Sequence, residues 1–561
     1  MKCNGSEILL ECLLEQGVDT IFGYPGGSVL NIYDALYKYQ DKINHILTAH
    51  EQGATHAADG YARATGKTGV ALVTSGPGAT NTVTGIATAF MDSIPLVVIT
   101  GNVPVPLLGL DSFQEVDITG ITMPITKHNF IVKDIAQLAD TVRRAFEIAN
   151  SGRKGPVLID IPKDITAAVC EYQPKQIPAL VPNADTMTDE DVATAVQMIQ
   201  QSKRPFVYTG GGVIASDAAK EVRELVDLID APVSSSLMGQ GGFDNYDERY
   251  MGMLGMHGSK TAANAVSECD LFIGIGTRFS DRVILKISAF APNAKIIQID
   301  IDPAEVNKNI RVDHTLVGDV KCVLQRLNPQ LGQCSHSDWM EKIASWKREY
   351  PNQQKGNTPD ALLPQQIIET LCELTGGEAV ISTEVGQNQM WAAQYYSFRH
   401  PKQFLTSGGH GTMGYGLGAA IGAQVGCPDK QVINIAGDGS FQMNCNELVT
   451  LSKYNIPVIE LLLNNEVLGM VRQWQRLFYG KRFSQTTLER GVDYSKLAGA
   501  YGIEFYTIAK PEEIRPTLEK ALAANGPVLI NCVIDRDINV LPMVPAGAAI
   551  DEPILEIEID D

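Results

Sequence analysis

The amino-acid sequence predicts an α/β protein with three consecutive domains, each built on a parallel sheet. Three observations lead to this fold class. With 561 residues the chain is too long for one hydrophobic core, and its length suggests about three domains. Short apolar runs alternate with helical patterns, which predicts parallel sheets covered by helices. Two stretches, 166–188 and 336–362, have the polar composition of linkers. The predicted domains are 1–165, 189–335 and 363–540, and an acidic tail covers 541–561, of which we expect 551–561 to be solvated.

Bulk composition excludes several classes of function. The chain is 44% hydrophobic and 20% charged, as in ordinary globular proteins, and its net charge of −20 argues against binding to nucleic acid or anionic lipid. Glu11 and Glu15 interrupt the early apolar run, so we expect no signal peptide, and no apolar stretch approaches the roughly 20 residues of a membrane span. The ten cysteines lack metal-like spacing and indicate reduced thiols. We therefore expect a cytoplasmic protein that binds neither membrane nor nucleic acid.

The first predicted domain contains an amphipathic helix at 6–16 and strands at 20–23, 43–49 and 70–75. A helix rich in small residues follows at 52–63. Such a helix lets another element approach closely, either across a subunit interface or inside one domain. Glu51 stands at its start, a position where the helix dipole alone favours an acid. Gly76-Pro77-Gly78 is a turn that opens a helix and is a possible anion site.

The middle predicted domain has strands at 205–208, 271–275 and 295–301, each closed by Gly or Asp. The segment Gly210–Ala215 fits G-x-G-x-x-A directly after the first of these strands. The pattern is a weak indication of dinucleotide binding, because it is often found by chance.

The third predicted domain contains the most informative stretch. An apolar run at 432–436 predicts a buried strand that ends in Gly437-Asp438-Gly439, and a second strand at 457–463 ends in Asn464-Asn465. Between them, Asn444 and Glu447 have the spacing of a capping box at the start of a helix. Asp438 and Asn465, separated by 465 − 438 = 27 positions, would meet at the carboxyl ends of parallel strands, where α/β sheets bind ligands. Their oxygens suit a magnesium ion that bridges a diphosphate.

Gly-Asp-Gly followed by Asn-Asn resembles the metal-diphosphate motif of thiamine diphosphate enzymes. The resemblance covers nearly the whole chain and is greatest to the large, catalytic subunits of the acetolactate (acetohydroxyacid) synthase family. The other matching segments are His50–Ala54, Met251–Gly258, Gly276–Val283, Glu384–Met390 and Ser407–Gly416. It implies, in chain order, a pyrimidine-binding, an FAD-binding and a diphosphate-binding domain.

The resemblance also implies how thiamine diphosphate and magnesium would be bound. Glu51 would hydrogen-bond the aminopyrimidine ring and stabilise its imino tautomer, whose nitrogen takes the proton from the thiazolium carbon. Magnesium would be bound by Asp438, Asn465 and the main-chain oxygen of Val467. Asn388 and His410 are departures, because the family commonly has His and Leu there. The other cofactor contacts would be Tyr24, Asn81, Val385, Gln387, Gly411, Met413, Gly437, Gly439, Ser440 and Met470.

Two further residue groups follow from the resemblance. The substrate contacts would be Gln114, Lys163, Arg282 and Trp474. The FAD contacts would be Arg153, Gly210, Gly211, His257, Gly276, Arg278, Asp300 and Asp319. Because the acetolactate reaction has no net redox step, FAD would be structural or inherited.

The implied reaction decarboxylates pyruvate and condenses the remaining two-carbon unit with a second 2-oxo acid, either pyruvate or 2-oxobutyrate, in branched-chain amino acid biosynthesis. Glu51 and Asp438 lie in different predicted domains, and in the resembled enzymes different subunits supply these groups. A homodimer is therefore the minimum expected, a homotetramer is compatible, and a small regulatory subunit is a possible partner. A sibling thiamine enzyme, such as a pyruvate oxidase or another carboligase, is the alternative. A non-catalytic nucleotide-binding or regulatory protein is a further alternative, against which Glu51, Asp438 and Asn465 argue.

Overall fold

The computed structural model describes residues 2–177, 187–356, 361–489 and 491–557. Within these ranges the chain forms three six-stranded sheets, each parallel throughout, and a small two-stranded antiparallel sheet. The strands are β1 Lys2–Asn4, β2 Thr20–Tyr24, β3 Asn44–Leu47, β4 Gly69–Val73, β5 Leu96–Asn102, β6 His128–Ile131, β7 Pro156–Pro162, β8 Val169–Glu171, β9 Pro205–Thr209, β10 Val233–Ser235, β11 Tyr250–Met253, β12 Leu271–Ile275, β13 Lys295–Asp300, β14 His314–Val317, β15 Val380–Thr383, β16 Phe404–Leu405, β17 Val432–Gly437, β18 Ile459–Asn464, β19 Glu504–Ile508 and β20 Val528–Val533.

Helices connect and cover these strands. They are α1 Gly5–Glu15, α2 Leu30–Lys38, α3 Glu51–Thr65, α4 Pro77–Thr80, α5 Val83–Asp92, α6 Ile118–Thr122, α7 Leu138–Asn150, α8 Lys163–Ala167, α9 Asp189–Gln201, α10 Gly211–Ala215, α11 Ala219–Ile229, α12 Lys260–Glu268, α13 Asp281–Ile284, α14 Val320–Leu327, α15 Ser337–Glu349, α16 Pro364–Thr375, α17 Gln387–Tyr395, α18 Gly416–Gly426, α19 Asp438–Asn444, α20 Leu448–Tyr454, α21 Gly469–Phe478, α22 Tyr494–Ala500 and α23 Ile514–Leu522. In the part of the chain that the structure describes, no helix has the length and apolar character needed to cross a membrane.

The prediction of three parallel-sheet α/β domains is confirmed. The first sheet has the order β3-β2-β4-β5-β7-β6 and the third has the order β16-β15-β17-β18-β20-β19, which is the same order when each sheet's strands are counted from its own first. The middle sheet, β11-β10-β9-β12-β13-β14, has the doubly wound order of dinucleotide-binding domains. In each sheet the strand order reverses beside the first strand, which is the point where such sheets bind ligands.

The helix of small residues, α3, packs against α18 of the third domain in the same chain. A side-chain carbon on Gly60 would overlap the carbonyl of Ala419, and one on Gly422 would overlap the carbonyl of Ala57. Both helices are buried along most of their length, and their residues join strands of the first and third sheets in one hydrophobic cluster. The contact is thus neither inside one domain nor between subunits: it joins two domains of one chain.

Both predicted linkers contain regular structure. In the first predicted linker, 166–188, strand β8 begins at Val169 and pairs antiparallel with β1, so the linker prediction is wrong at that strand. Residues 178–186 of this linker lie outside the described part of the chain. The second linker is wrong over α15, because Trp339, Ile343 and Trp346 follow helical spacing and are buried in the middle domain. Its residues 357–360 are not described.

The start of the C-terminal tail packs against the protein. Met543 and Val544 are buried, the N–H of Val544 donates to the carbonyl of Met256 at 2.8 Å, and Met543 pairs with Ile554. Met543 and Val544 precede the stretch 551–561 that the sequence predicts to be solvated, and within that stretch the expectation is wrong at Ile554, whose backbone pairs with that of Met543. The last residues, 558–561, lie outside the described ranges.

Candidate active site

Glu51 is the first residue of α3 and faces the loop that follows β4. The helix is capped by His50, whose ring nitrogen accepts the N–H of Gln52 at 3.1 Å. The side-chain amide of Asn81 donates to Oε2 of Glu51 at 3.0 Å. A Cβ on Gly78 would stand 3.3 Å from Oε1 of the same carboxylate. Glu51 and Asn81, which are thirty positions apart in the sequence, thus form one polar cluster at the edge of the first sheet, the Glu51 cluster. Gly78 leaves space beside the Glu51 carboxylate.

Gln114 and Tyr24 lie on the same side of the first domain. Gln114 has a left-handed φ of 58° and packs on Gly76, where an added Cβ would stand 2.9 Å from the Gln114 Cα. Tyr24 is exposed at the end of β2. The loop that carries Gln114 therefore covers the Gly-Pro-Gly turn that leads to Asn81.

The predicted metal ligands come together in the third domain. Strand β17 ends at Gly437 and α19 begins at Asp438, whose surface is only 2% exposed. We refer to residues 437–440 as the metal turn. The N–H of Asn465 donates to Oδ1 of Asp438 at 3.4 Å, and Oδ1 of Asn465 accepts the N–H of Val467 at 3.2 Å. Ser440 closes the turn by donating to the carbonyl of Gly437 at 3.3 Å. The side chains of Asp438 and Asn465 and the backbone of Val467 are thus joined by hydrogen bonds at the ends of two neighbouring strands.

This donor set fits magnesium. No group of three or more His, Cys, Asp or Glu side chains suited to a metal occurs among the described residues, so a site of histidines and thiolates has no candidate there. Magnesium takes oxygen ligands, usually few from protein and the rest from phosphates and water. Because Gly439 has no side chain, it can pack closely against Leu468 and Leu488, and the metal turn lies close to the loop after β18.

Gln387 links the metal turn to α21. Its Oε1 accepts from the amide of Asn465 at 3.3 Å, and its Nε2 donates to Oε1 of Gln473 at 3.1 Å. A side chain on Gly469 would overlap Oε1 of Gln387, so the start of α21 can approach only because glycine stands there. Met470 follows in α21 and packs against the core beside β15, the strand that leads to Val385. Gln387 is therefore in direct contact with Asn465, and Gly469 packs closely against it.

Trp474 lies one turn further along α21. It is partly buried and meets Phe478 edge-on, with 5.5 Å between ring centroids. Arg282 instead has a 62% exposed side chain, which pairs with Asp281 at 3.8 Å. Lys163 begins α8, directly after β7. Among the described residues, neither Arg282 nor Lys163 is hydrogen-bonded to the Glu51 cluster or to the metal turn.

Met413 is carried by the loop 407–416, which is held by a buried carboxylate. Glu384 is fully buried and accepts the N–H groups of Gly414 at 2.7 Å and Gly416 at 2.9 Å. Burial raises the pKa of Glu384 to about 7. Gly411, two residues before Met413, has a left-handed φ of 68° that favours glycine.

The two departures from the family pattern have different surroundings. Asn388 is buried and donates to the carbonyls of Glu384 at 2.9 Å and Ile435 at 2.8 Å, so it ties β15 to β17. A Cβ on Gly437 would stand 3.3 Å from its amide oxygen. His410 is exposed on the loop before Met413. Asn388 therefore has a structural partner at the metal turn, and His410 faces solvent in this chain.

The predicted FAD residues line the carboxyl edge of the middle sheet. Gly210 follows β9, and its N–H donates to the carbonyl of Ile275 at 2.8 Å. Gly212 packs on Gly276, where a Cβ added to Gly212 would stand 2.6 Å from the Gly276 Cα. Gly211 begins α10. The backbones of two loops thus touch where the strand order reverses, and a dinucleotide phosphate can approach both.

Four more of these residues surround that edge. Asp300 ends β13, and burial raises its pKa to about 6. Asp319 caps α14 by accepting the N–H of Lys321 at 3.1 Å. Arg153 pairs with Glu305 at 2.7 Å and lies 3.5 Å from Asp302. Arg278 donates to the carbonyl of Met91 at 3.5 Å.

His257 carries a buried polar atom without a protein partner. Its Nδ1 has no hydrogen-bond partner among the described residues, and burial lowers the pKa of the ring to about 4. Buried polar groups are normally satisfied, so an orphan of this kind beside a predicted cofactor edge fits an external donor or acceptor. The residues present are therefore compatible with FAD.

Sequence reasoning missed the residues that join the first domain to the third. Asp92 accepts the N–H groups of Gly408 at 3.1 Å and Gly409 at 2.7 Å, and Thr88 shares a 2.6 Å hydrogen bond with Thr412. Glu447, predicted as part of a capping box, accepts N–H groups of the first domain instead, and Asn444 donates to the carbonyl of Gly414 at 2.6 Å. The capping box is therefore wrong, because both side chains have partners far away in sequence.

Three family profiles match the chain in succession. The N-terminal TPP binding domain of thiamine pyrophosphate enzymes matches residues 3–121, the central domain matches 192–327 and the C-terminal TPP binding domain matches 384–532. Their order is that of the three sheets. The fold and the site thus define a thiamine pyrophosphate-dependent enzyme.

Curated relatives narrow the class. The chain is 46% identical to a probable acetolactate synthase large subunit of Methanocaldococcus jannaschii, over 99% of this chain and 96% of that protein. It is 45% identical to the acetolactate synthase isozyme 2 large subunit of Escherichia coli, over 97% of this chain and 98% of that protein. It is 46% identical to the acetolactate synthase large subunit of Parasynechococcus marenigrum, over 97% of this chain and 90% of that protein. The chain belongs to the family of acetolactate synthase large subunits.

Proposed function

We propose that this protein decarboxylates pyruvate and condenses the two-carbon unit with a second 2-oxo acid. Pyruvate as acceptor gives 2-acetolactate, and 2-oxobutyrate gives 2-aceto-2-hydroxybutyrate, both in branched-chain amino acid biosynthesis. The observation that carries the proposal is the contact of Asp438, Asn465 and Gln387 at the carboxyl edge of the third sheet. The relatives' names supply the reaction.

Thiamine diphosphate, when bound, supplies the electron sink for decarboxylation and for the new carbon–carbon bond. Asp438, Asn465 and the carbonyl of Val467 would hold magnesium against the diphosphate, and the start of α19 would offer its N–H groups to the phosphate oxygens. The loop of Met413 would support the other end of the cofactor. Tyr24, Val385, Gly411 and Ser440 complete the proposed contacts.

Glu51 would act on protons. Its carboxylate has one oxygen engaged by Asn81 and the other beside Gly78, so the second oxygen can share a proton with a ring nitrogen of the aminopyrimidine. Asn81 would keep the carboxylate oriented. Replacement of Glu51 by Gln preserves shape but removes this proton transfer.

The proposed substrate residues supply charge and shape. The Lys163 ammonium and the Arg282 guanidinium would attract the carboxylates of the two 2-oxo acids. Trp474 would pack beside the acceptor side chain, and Gln114 would contribute polar contact from the loop above Gly76. The exposure of Arg282 leaves it accessible to a second chain or to substrate.

We also propose that FAD binds at the middle sheet. The close approach of Gly210 and Gly276 and the orphan Nδ1 of His257 support this assignment. The overall reaction transfers no electrons to an acceptor, so FAD would have a structural role.

The proposed assembly is a homodimer or a homotetramer with a small regulatory subunit. Several relatives are named large subunits, which supports the small partner. Phe113 is 88% exposed beside Gln114, and Leu110 and Met123 are exposed nearby, an apolar group that suits a subunit interface. Cys12, Cys269 and Cys532 are buried free thiols, in keeping with the reducing cytoplasm that we propose as its location.

Product analysis tests the function. The protein is mixed with pyruvate, thiamine diphosphate, magnesium and FAD, and products are followed by NMR. We expect acetolactate, and none from Glu51→Gln. Acetate or acetaldehyde with flavin reduction would assign the protein to a sibling such as a pyruvate oxidase. Tight cofactor binding with no product from pyruvate, with or without 2-oxobutyrate, would contradict the proposal.

A further inference from the structure

The turn that presents Glu51 is held by side chains of another domain. Glu447 lies in the 3₁₀ turn between α19 and α20 and is 0% exposed. Its carboxylate accepts the N–H groups of Ala49 and His50, each at 3.0 Å, and the hydroxyl of Thr450 at 2.7 Å. The two residues immediately before Glu51 are therefore bound to one buried acid.

Two more contacts reinforce this hold. The hydroxyl of Tyr454, at the end of α20, accepts the N–H of Leu47 at 2.9 Å. On the other side, a side-chain carbon on Gly53 would overlap the Glu447 carboxylate, so the acid fills the space that this glycine leaves. The chain from β3 to the first turn of α3 is thus fixed to the third domain at several successive points.

The same acid belongs to the element that follows the metal turn. Glu447 comes 447 − 438 = 9 residues after Asp438, on the segment that runs from α19 into α20. Hydrogen bonds from backbone N–H groups to a buried carboxylate are strong, and their loss leaves buried donors unsatisfied. A shift of the Glu447 side chain would therefore move the Glu51 turn, and a shift of the metal-turn helix would move Glu447.

We propose that Glu447 is a positioning residue that sets the location of the Glu51 carboxylate relative to the cofactor. The inference rests on the proposed role of Glu51. Nothing in the reaction requires Glu447 to touch substrate or cofactor, because its oxygens are occupied by the two N–H groups and by Thr450.

The test uses two readouts on Glu447→Gln in the full-length protein. The first is amide hydrogen exchange of peptides spanning 44–54 in the cofactor-free protein, where we expect Ala49 and His50 to exchange about 10-fold faster. The second is the exchange of the C2 proton of bound thiamine diphosphate in D₂O, followed by NMR after acid quench. It reports directly on the proton chemistry of Glu51, and we expect it to slow by roughly 10- to 100-fold. The dissociation constant for thiamine diphosphate should change less than about threefold.

Asp270→Asn is the matched control. Asp270 accepts the N–H groups of Lys203 at 2.9 Å and Arg204 at 3.0 Å and the hydroxyl of Ser202 at 2.5 Å, the same donor set, in the middle domain. It should lower thermal stability without changing either readout at the Glu51 turn. Tyr454→Phe is the second variant: it should speed exchange at Leu47 and leave the C2 proton nearly unaffected.

The outcomes separate this inference from the proposed function. If the single variant Glu51→Gln exchanges the C2 proton as fast as the unmodified protein, the proposed role of Glu51 in proton transfer is wrong. If it does, but Glu447→Gln matches Asp270→Asn in both readouts, Glu447 is a structural residue and the inference is wrong. If Glu447→Gln does not fold, Gly53→Ala takes its place, because it displaces the carboxylate without removing it, and an unchanged C2 exchange in that variant overturns the inference equally.

Discussion

The guanidinium of Arg63 and the carboxylate of Asp92 form a buried ion pair, with 2.9 Å between Nη2 and Oδ2. Arg63 also donates to Asp59 at 2.6 Å and to the carbonyl of Thr406 at 2.9 Å, and Tyr415 donates to Asp59 at 2.6 Å. The pair therefore connects α3, which begins with Glu51, to the two ends of the loop that carries Met413. Every charge in this group has a partner of opposite sign, as burial requires.

Removing the Arg63 guanidinium from this network should strongly lower the free energy of unfolding. Arg63→Met leaves Asp59 and Asp92 buried without their cation, and we expect a loss of about 3–5 kcal/mol in the free energy of unfolding, measured by urea denaturation. Arg515→Met is the control, since the Arg515–Glu373 pair is exposed and its loss should cost less than about 1 kcal/mol. Equal effects of the two variants would show that the buried network does not stabilise the domain contact.

The contact of α3 with α18 depends on glycine at the crossing. Gly422→Ala forces a methyl group into the carbonyl of Ala57, and we expect a destabilisation of about 1–3 kcal/mol by chemical denaturation. Gly499→Ala is the opposite case: Gly499 lies in α22 with open space around it, so the same substitution should stabilise by about 0.5–1 kcal/mol. Two changes of the same sign would argue against close packing as the cause.

Asp438 should control the magnesium dependence of cofactor binding. Asp438→Ala removes the carboxylate of the oxygen set, so thiamine diphosphate should bind at least about 100-fold more weakly with magnesium present, by calorimetric titration. Addition of EDTA to the unmodified protein should have the same effect. Asp429→Ala, an exposed acid nearby in sequence, is expected to bind as the unmodified protein does. Unaltered binding by Asp438→Ala would remove Asp438 from the metal site.

Stability should fall with rising pH because of Glu384. Burial raises its pKa from 4.5 to about 7, so between these values the folded state binds a proton that the unfolded state has released. The stabilisation is complete below pH 4.5 and is lost as the pH rises to about 7, for a total of about 3 kcal/mol. Glu384→Gln should have a smaller slope than the unmodified protein in unfolding measured from pH 5 to 8, because other buried carboxyls with a raised pKa, such as Asp300, remain. Glu519→Gln, at an exposed acid, should keep the full slope. A variant with the wild-type slope would exclude Glu384 as its source.

Short-range pattern was sufficient for the metal turn. Apolar runs predicted β17 and β18, and parallel strands place their following residues at one edge, so Asp438 and Asn465 could be predicted to meet. The Asn81 contact of Glu51 was within reach for the same reason, because β3 and β4 both lie beside β2 in one sheet.

Long-range partners could not be read from local pattern. Asp92 bonds Gly408 across 316 positions and Glu447 bonds His50 across 397, and no spacing rule relates such residues. The capping-box prediction failed because the Glu447 side chain has a stronger partner in another domain. The sequence of α15 predicts a linker because most of its residues are polar. Its three buried residues, Trp339, Ile343 and Trp346, follow helical spacing among them.

The shared strand order of the first and third sheets makes α3 and α18 equivalent elements: each follows the second strand of its sheet. Contact between equivalent elements is what two identical subunits make around a twofold axis. Here both partners are on one polypeptide, so the pairing is permanent and independent of protein concentration. Its two sides carry different residues: the first domain presents Glu51, to which we assign proton chemistry, and the third presents Asp438 and Asn465, to which we assign metal binding. A symmetric pair of separate chains could not divide the work in this way.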